Sequence, residues 1–376
     1  MKNVILPIEK YIPDYIKELV PYPPGKPIEE LERQYNVKNP IKLASNENPL
    51  GPSPKAIEAI KTSAKDLHRY PDGSGFYLKE ALSKKYGISQ EEIVLGNGSD
   101  ELIDLLIRLL LKPGTRCITS HPSFLVYKKR VQSVGGENII IPLKDFHHDL
   151  PSISKAVNEQ TRLIFLDNPN NPTGSVISRQ DFEQFLKDLP QDILIVLDEA
   201  YMEFCKNPDT PRGMEYLGKD SRVVTLRTFS KAYGLAGLRL GYGIMHKNIA
   251  SYIERVRQPF NVNSLAQKAA IAALHDTNHF EKTLSNTWEG IKYISDQLTQ
   301  LGFKVYPTNT NFLLVDISMD ANILYEEMLK KGVIIRSMAS YGFNNFIRIT
   351  IGTPQENERF IYSITEILEK LQEASY

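Results

Sequence analysis

Short apolar runs recur along the first 245 residues, each bounded by polar or glycine-rich turns. Ile93–Leu95, Arg116–Thr119, Asn138–Pro142, Arg162–Leu166, Asp192–Leu197 and Val223–Leu226 are apolar on consecutive positions, which predicts strands buried on both faces. Between them the apolar positions fall at helical spacing. This predicts helices over Ile28–Tyr35, Lys55–Leu67, a segment ending at Tyr86 before Gly87, Glu101–Leu111, Phe124–Val134 and Asp181–Leu189. Buried strands alternating with helices imply an α/β fold, a mostly parallel sheet covered on both faces. Beyond Ala250 the pattern changes. A long helical region carries Gln267–Leu274 and Glu281–Leu301. Strands Phe303–Tyr306, Asn311–Asp316, Gly332–Arg336 and Phe346–Ile351 then alternate with helices Ala321–Lys330 and Gln355–Leu371. This reads as a smaller α+β unit. Prolines at 21, 23, 24 and 27 prevent regular structure in that stretch, and residues 1 to about 40 read as an arm packing near that unit.

In open parallel sheets ligands bind beyond the carboxyl ends of the strands. Several predicted strands deliver polar residues there. Ile93–Leu95 runs into Gly96-Asn97-Gly98-Ser99-Asp100 and a helix, which places free N–H groups where a phosphate could sit. A plain helix cap by Ser99 explains the same residues equally well. Arg162–Leu166 runs into Asp167 through Gly174, and Asp192–Leu197 into Asp198-Glu199-Ala200-Tyr201. Val223–Leu226 runs into Thr228, Ser230 and Lys231, with Arg239 among glycines beyond. Two hydroxyls and a guanidinium suit a phosphate, leaving the amine free to form an imine. A lone lysine in a loop is ordinarily a solvated surface residue, so this stretch is only suggestive by itself. Asp198 ends a buried strand, and a buried carboxylate needs a cation or strong donors.

Charge narrows the function class. Forty-five basic residues balance 45 acidic ones, for a formal net charge of +0. That argues against nucleic acid or an anionic membrane as the main partner. The two cysteines, Cys117 and Cys205, lack metal-ligand spacing and suit reduced thiols in a cytosolic protein. The start has no signal-peptide core, because prolines and charges interrupt it. No dinucleotide fingerprint is present.

The motifs SNENPLGPSP, LIFLDNPNNPTG, LIVLDEAY, TFSKAYGLAGLRLGYG and FIRITIGT, in that order over nearly the whole chain, resemble the fold-type I pyridoxal-phosphate aminotransferases. The resemblance implies a three-layer, mostly parallel sheet with a smaller α+β domain. It implies residues 1–44 as an arm, 45–275 as a large cofactor-binding domain and 276–376 as a small domain. It also implies pyridoxal 5'-phosphate, bound as an imine on Lys231. Asp198 is expected to keep the ring nitrogen protonated, Asn171 and Tyr201 to bond the ring hydroxyl, and Phe124 to stack on the ring. Gly98, Ser99, Asp100, Thr228, Ser230 and Arg239 are expected to hold the phosphate. Tyr70, in RYPDGSG, corresponds to a tyrosine that reaches the phosphate of a neighbouring subunit, which implies a homodimer.

Within the family the arm PYPPGKPIEELER and the stretch IRITIGTPQENERF resemble the branch acting on histidinol phosphate, with glutamate and 2-oxoglutarate as the other partners. Tyr22, Asn46, Arg336 and Arg348 are then expected to line the substrate pocket, with the arginines clamping an anion. Ser337 departs from the pattern, which has proline there. Aromatic amino acid transamination and threonine-phosphate decarboxylation fit the same motifs. A regulator that only binds would need an attached DNA-binding unit, for which no room is expected before about residue 40, and a relative that has lost activity is disfavoured by the intact Lys231 and Asp198. No metal is expected.

Overall fold

The computed structural model describes residues 6–21 and 27–373; Tyr22 lies outside them. Its strands, in chain order, begin with β1 (Ile41–Lys42), β2 (Ile93–Gly96), β3 (Arg116–His121), β4 (Glu137–Pro142) and β5 (Thr161–Asp167). There follow β6 (Leu194–Asp198), β7 (Val223–Thr228), β8 (Gly241–Ile244), β9 (Lys304–Val305) and β10 (Phe312–Asp316). The last are β11 (Val333–Ile334), β12 (Arg336–Ser337) and β13 (Phe346–Thr350).

The central sheet has seven strands in the order β2-β8-β7-β6-β5-β3-β4. All run parallel except β8, which is antiparallel to both neighbours. Alternate residues of each strand enter different cores. Leu163, Phe165, Val196, Val224 and Leu226 pack with the helix Ser99–Leu110 on one face. Ile164, Leu166, Ile195, Leu197 and Val223 pack with Phe182 and Phe185 on the other. Burial on both faces is why these strands are apolar at consecutive positions.

A second sheet, β12-β13-β10-β9, is antiparallel and forms its own core with Ile294, Leu298, Phe360 and Ile364. The 24-residue helix Thr277–Gln300 leads into it.

The structure departs from the sequence reading in a few places. β8 lies in the glycine-rich stretch beyond Lys231, where the apolar pattern predicts no strand. Its pairing needs glycine, because a Cβ on Gly241 would meet the Ser99 nitrogen at 2.4 Å. The stretch Gly332–Arg336, expected as one strand, divides between two sheets: β11 pairs with β1, and β12 with β13. The arm also divides. Lys129 Nζ donates to the Val20 carbonyl at 2.7 Å and Gln132 Nε2 to the Tyr15 carbonyl at 3.2 Å, which fixes 14–20 against the helix Val126–Ser133. From Ile28 onward the chain packs on the smaller unit, with Leu31 buried against Leu329 and Ile334. Ser337 lacks the rigidity of proline, but its hydroxyl bonds Asn322 Oδ1 at 2.8 Å and receives the Ala339 N–H at 3.3 Å. Among the described residues no helix is long and apolar enough to cross a membrane.

Candidate active site

The strand ends gather one site. β5 ends at Asp167, β6 at Asp198 and β7 at Thr228, on the same edge of the sheet, because their registers are parallel and in step. A cavity of about 280 Å³ opens there, shared between the large sheet and the arginines of β12 and β13. Ser99, Asp100, Phe124, Asn171, Asp198, Tyr201, Thr228, Ser230, Lys231 and Arg239 all line it, as do Asn46, Arg336 and Arg348. Of the residues singled out in the sequence, two described ones are not in its lining. Gly98 lies just behind Ser99. Tyr70 is 83% exposed and stacks on Phe260, with ring centroids 4.9 Å apart. Tyr22 lies outside the described residues.

At the floor, Asp198 is buried. The Tyr127 hydroxyl donates to its Oδ2 at 2.8 Å, while Oδ1 is buried with no hydrogen-bond partner among the described residues. Burial pushes the carboxyl up to about 7; the Tyr127 hydrogen bond opposes this and neighbouring Asp167 adds to it. A buried carboxylate oxygen with nothing to bond is a group awaiting a donor or cation.

Lys231 follows β7 and is half-buried, its Nζ donating to the Ser45 carbonyl at 3.1 Å. Burial lowers its pKa to about 8, with Arg348 acting in the same direction and Glu47 against it. An amine in this range is partly neutral near physiological pH and so nucleophilic.

At one end is an anion cradle. The helix Ser99–Leu110 points its free N–H groups into the cavity. Gly98, not Ser99, holds the cap position, at φ +80°. A Cβ there would meet Arg239 Nη2 at 2.5 Å, so glycine lets the guanidinium lie against the backbone. Thr228 and Ser230 add hydroxyls, and the Ser230 N–H is fixed on Thr228 Oγ1 at 3.1 Å. Asp100 would repel an anion, but Arg130 Nη2 holds its Oδ2 at 3.2 Å. The donor set and the bare Asp198 oxygen fit a flat cofactor with a phosphate at one end and a basic ring nitrogen at the other.

At the other end stand the arginines. Arg336 and Arg348 are direct cross-strand partners. Like charges opposite one another repel, so the pair suits an anion placed between them. Arg348 donates through Nη1 to Asn171 Oδ1 at 2.5 Å and through Nη2 to the Ala44 carbonyl at 2.8 Å. Asn46 Nδ2 donates to the Tyr201 hydroxyl at 2.9 Å, and burial pushes that phenol up to about 12. Among the described residues no cluster suits a metal ion.

Tyr127, Glu47 and Tyr341 also line the cavity without having been singled out in the sequence, and Asp167, named there only as a polar strand end, lines it too. Asp167 was legible, since it ends an apolar strand as Asp198 does. Tyr127 sits three residues after Phe124 in an ordinary helical pattern, which carries no signal of a site.

The comparisons agree with this geometry. The model of the family "Aminotransferase class I and II" matches residues 38–364. A histidinol-phosphate aminotransferase from Desulfotalea psychrophila is 50% identical over 373 residues, 98% of each chain. One from Moorella thermoacetica is 45% identical over 94% of this chain and 92% of its own. The crystal structure of histidinol-phosphate aminotransferase from Sinorhizobium meliloti, in complex with pyridoxal-5'-phosphate, superposes with a TM-score of 0.88. It is 31% identical over 95% of this chain and 97% of that one. The chain belongs to the class I and II aminotransferase family.

Proposed function

We propose that this chain transaminates histidinol phosphate with 2-oxoglutarate, giving imidazole acetol phosphate and glutamate in histidine biosynthesis, with pyridoxal 5'-phosphate as cofactor. The observation that carries the reading is the cross-strand pair Arg336 and Arg348 sharing one cavity with Lys231 and Asp198. An anion between the guanidiniums brings the attached amine toward the lysine. Such a clamp accepts a phosphate in one half-reaction and a carboxylate in the other. The identity to histidinol-phosphate aminotransferases supports the same substrate.

The bound cofactor supplies a conjugated ring that accepts the electron pair left on the substrate carbon when its proton departs. Lys231 is the residue that would hold it, and its Nζ, once released, would move that proton between the substrate carbon and the cofactor. Asp198 Oδ1 would receive the ring N–H. Asn171 and Tyr201 would bond the ring hydroxyl, with Tyr201 supported by Asn46. Phe124 would cover the ring face. Gly98, Ser99, Asp100, Thr228, Ser230 and Arg239 would hold the phosphate.

We assign residues 1–44 to an arm, 45–275 to the large domain and 276–376 to the small one. The active unit in this reading is a homodimer. Tyr70, Phe260, Phe76 and Tyr77 are exposed large side chains close together in the fold, and a partner's Tyr70 would complete the phosphate site. Both cysteines are free, in keeping with a cytoplasmic location.

The test is the visible spectrum of the cofactor-loaded protein before and after histidinol phosphate, with no keto acid. Conversion of the lysine-bound band to the amine form of the cofactor is the expected result. A band that ignores histidinol phosphate but responds to aromatic amino acids moves the substrate assignment there. Absence of any band after adding cofactor refutes the reading.

A further inference from the structure

We propose that Tyr127 is a positioning residue for Asp198: its buried hydroxyl holds Oδ2, so that Oδ1 is the oxygen presented to the ring nitrogen of the cofactor. This rests on the reading above that Asp198 meets that nitrogen.

The geometry is specific. Tyr127 is fully buried on the helix Val126–Ser133, stacked on Phe165 at 4.6 Å and 11° and edge-on to Phe124 at 5.6 Å. The ring has no room to swing, so the hydroxyl stays 2.8 Å from Oδ2. The two oxygens of Asp198 are thereby made unequal: Oδ2 has its donor and Oδ1 has none. A carboxylate with free rotation would share the donor between them.

The bond also decides charge. Burial favours the protonated acid, with the register neighbour Asp167 and Glu199 adding to it; Tyr127 is the larger of the two groups that oppose this, the Ala200 backbone N–H being the other. Glu199, the residue after β6, is bonded to Arg227 at 2.6 Å. Tyr201 is a neutral phenol, and Lys231 and Arg348 stand across the cavity. Burial, then the carboxylates of Asp198 and Asp167, keep the Tyr127 phenol well above its ordinary range, so it stays a donor throughout the working pH. A donor to the ionised form favours that form, and only the ionised form pairs with a protonated ring nitrogen.

The test is Tyr127→Phe, which keeps both ring contacts. Pyridoxal phosphate affinity of the cofactor-free proteins is measured from about pH 5 to about pH 9. In the wild type affinity falls on the acid side as Asp198 takes up its proton. In Tyr127→Phe that acid limb is expected to move up by about one pH unit, with binding about tenfold weaker below it and convergence at alkaline pH. In an Asp198→Asn background the same change is expected to leave the profile unmoved. Superimposed profiles, loss by one factor at every pH, or an equal shift in the Asp198→Asn background would each overturn the proposal. A wild type that binds no cofactor overturns the reading of the site instead. Should Tyr127→Phe not fold, the hydroxyl proton of Tyr127 can be followed in the wild type by NMR with labelled tyrosine. Its resonance is expected to move with the Asp198 midpoint; no response refutes the proposal.

Discussion

Replacing Asp198 by Asn in the cofactor-free protein removes the titration of a buried acid while keeping its shape. The folded carboxyl takes up its proton at about pH 7, against 3.8 for the unperturbed group. Between those values the folded state binds more protons than the unfolded chain. Stability from this group is therefore complete below about pH 4, declines as pH rises to about 7, and is level above that. Three units correspond to a ceiling of about 4 kcal/mol. Relaxation around buried charges reduces this, and about 2 kcal/mol is a sound working figure. Asn has nothing to titrate, and its carboxamide oxygen still receives the Tyr127 hydroxyl. The expected outcome is that Asp198→Asn gains on the wild type by about 2 kcal/mol between pH 5 and pH 8.5. With a denaturant slope of about 2–3 kcal/mol/M, that is a midpoint difference somewhat under about 1 M urea. Urea unfolding at one protein concentration reads it directly. Adding pyridoxal phosphate should reverse the trend, because the ring cation then pairs with the carboxylate. Parallel stabilities for the two proteins across the pH range would refute the account of Asp198 as an uncompensated buried acid.

Lys231→Ala should fold and bind cofactor without the lysine-bound band, with turnover down by about a thousandfold or more. Hybrids of Lys231→Ala with Tyr70→Ala subunits should regain activity that neither parent has, since one site of the hybrid is whole; inactive hybrids contradict a shared site. Arg348→Gln removes a charge-assisted fork, so KM for histidinol phosphate should rise by about thirtyfold to a hundredfold in steady-state assays. Gly98→Ala places a Cβ 2.5 Å from Arg239 Nη2 on a backbone with φ +80°, and cofactor affinity measured by titration should fall about tenfold while free pyridoxal, lacking the phosphate, is little affected.

Much of the fold was legible because its signals are local. The apolar runs at Arg162–Leu166, Asp192–Leu197 and Val223–Leu226 each became a buried strand. Buried parallel strands need apolar residues at consecutive positions, and that pattern is written along the chain itself. Their polar ends named Asp198 and Lys231 for the same reason. What the sequence could not contain is pairing over distance. β8 read as loop because Gly241 and Gly243 carry no strand preference; only the neighbours on either side make them a strand. Gly332–Arg336 reads as one run, yet its two ends join different sheets, a choice set by β1 and β13. Tyr127 looked like any core aromatic until the fold brought its hydroxyl 2.8 Å from a carboxylate 71 residues away. The facing of Arg336 and Arg348, and the exposure of Tyr70, likewise depend on which segments meet. The chain determined its elements and the residue types at their ends. The tertiary structure alone decided which of those ends share a cavity, because contacts between distant segments leave no period in a single sequence.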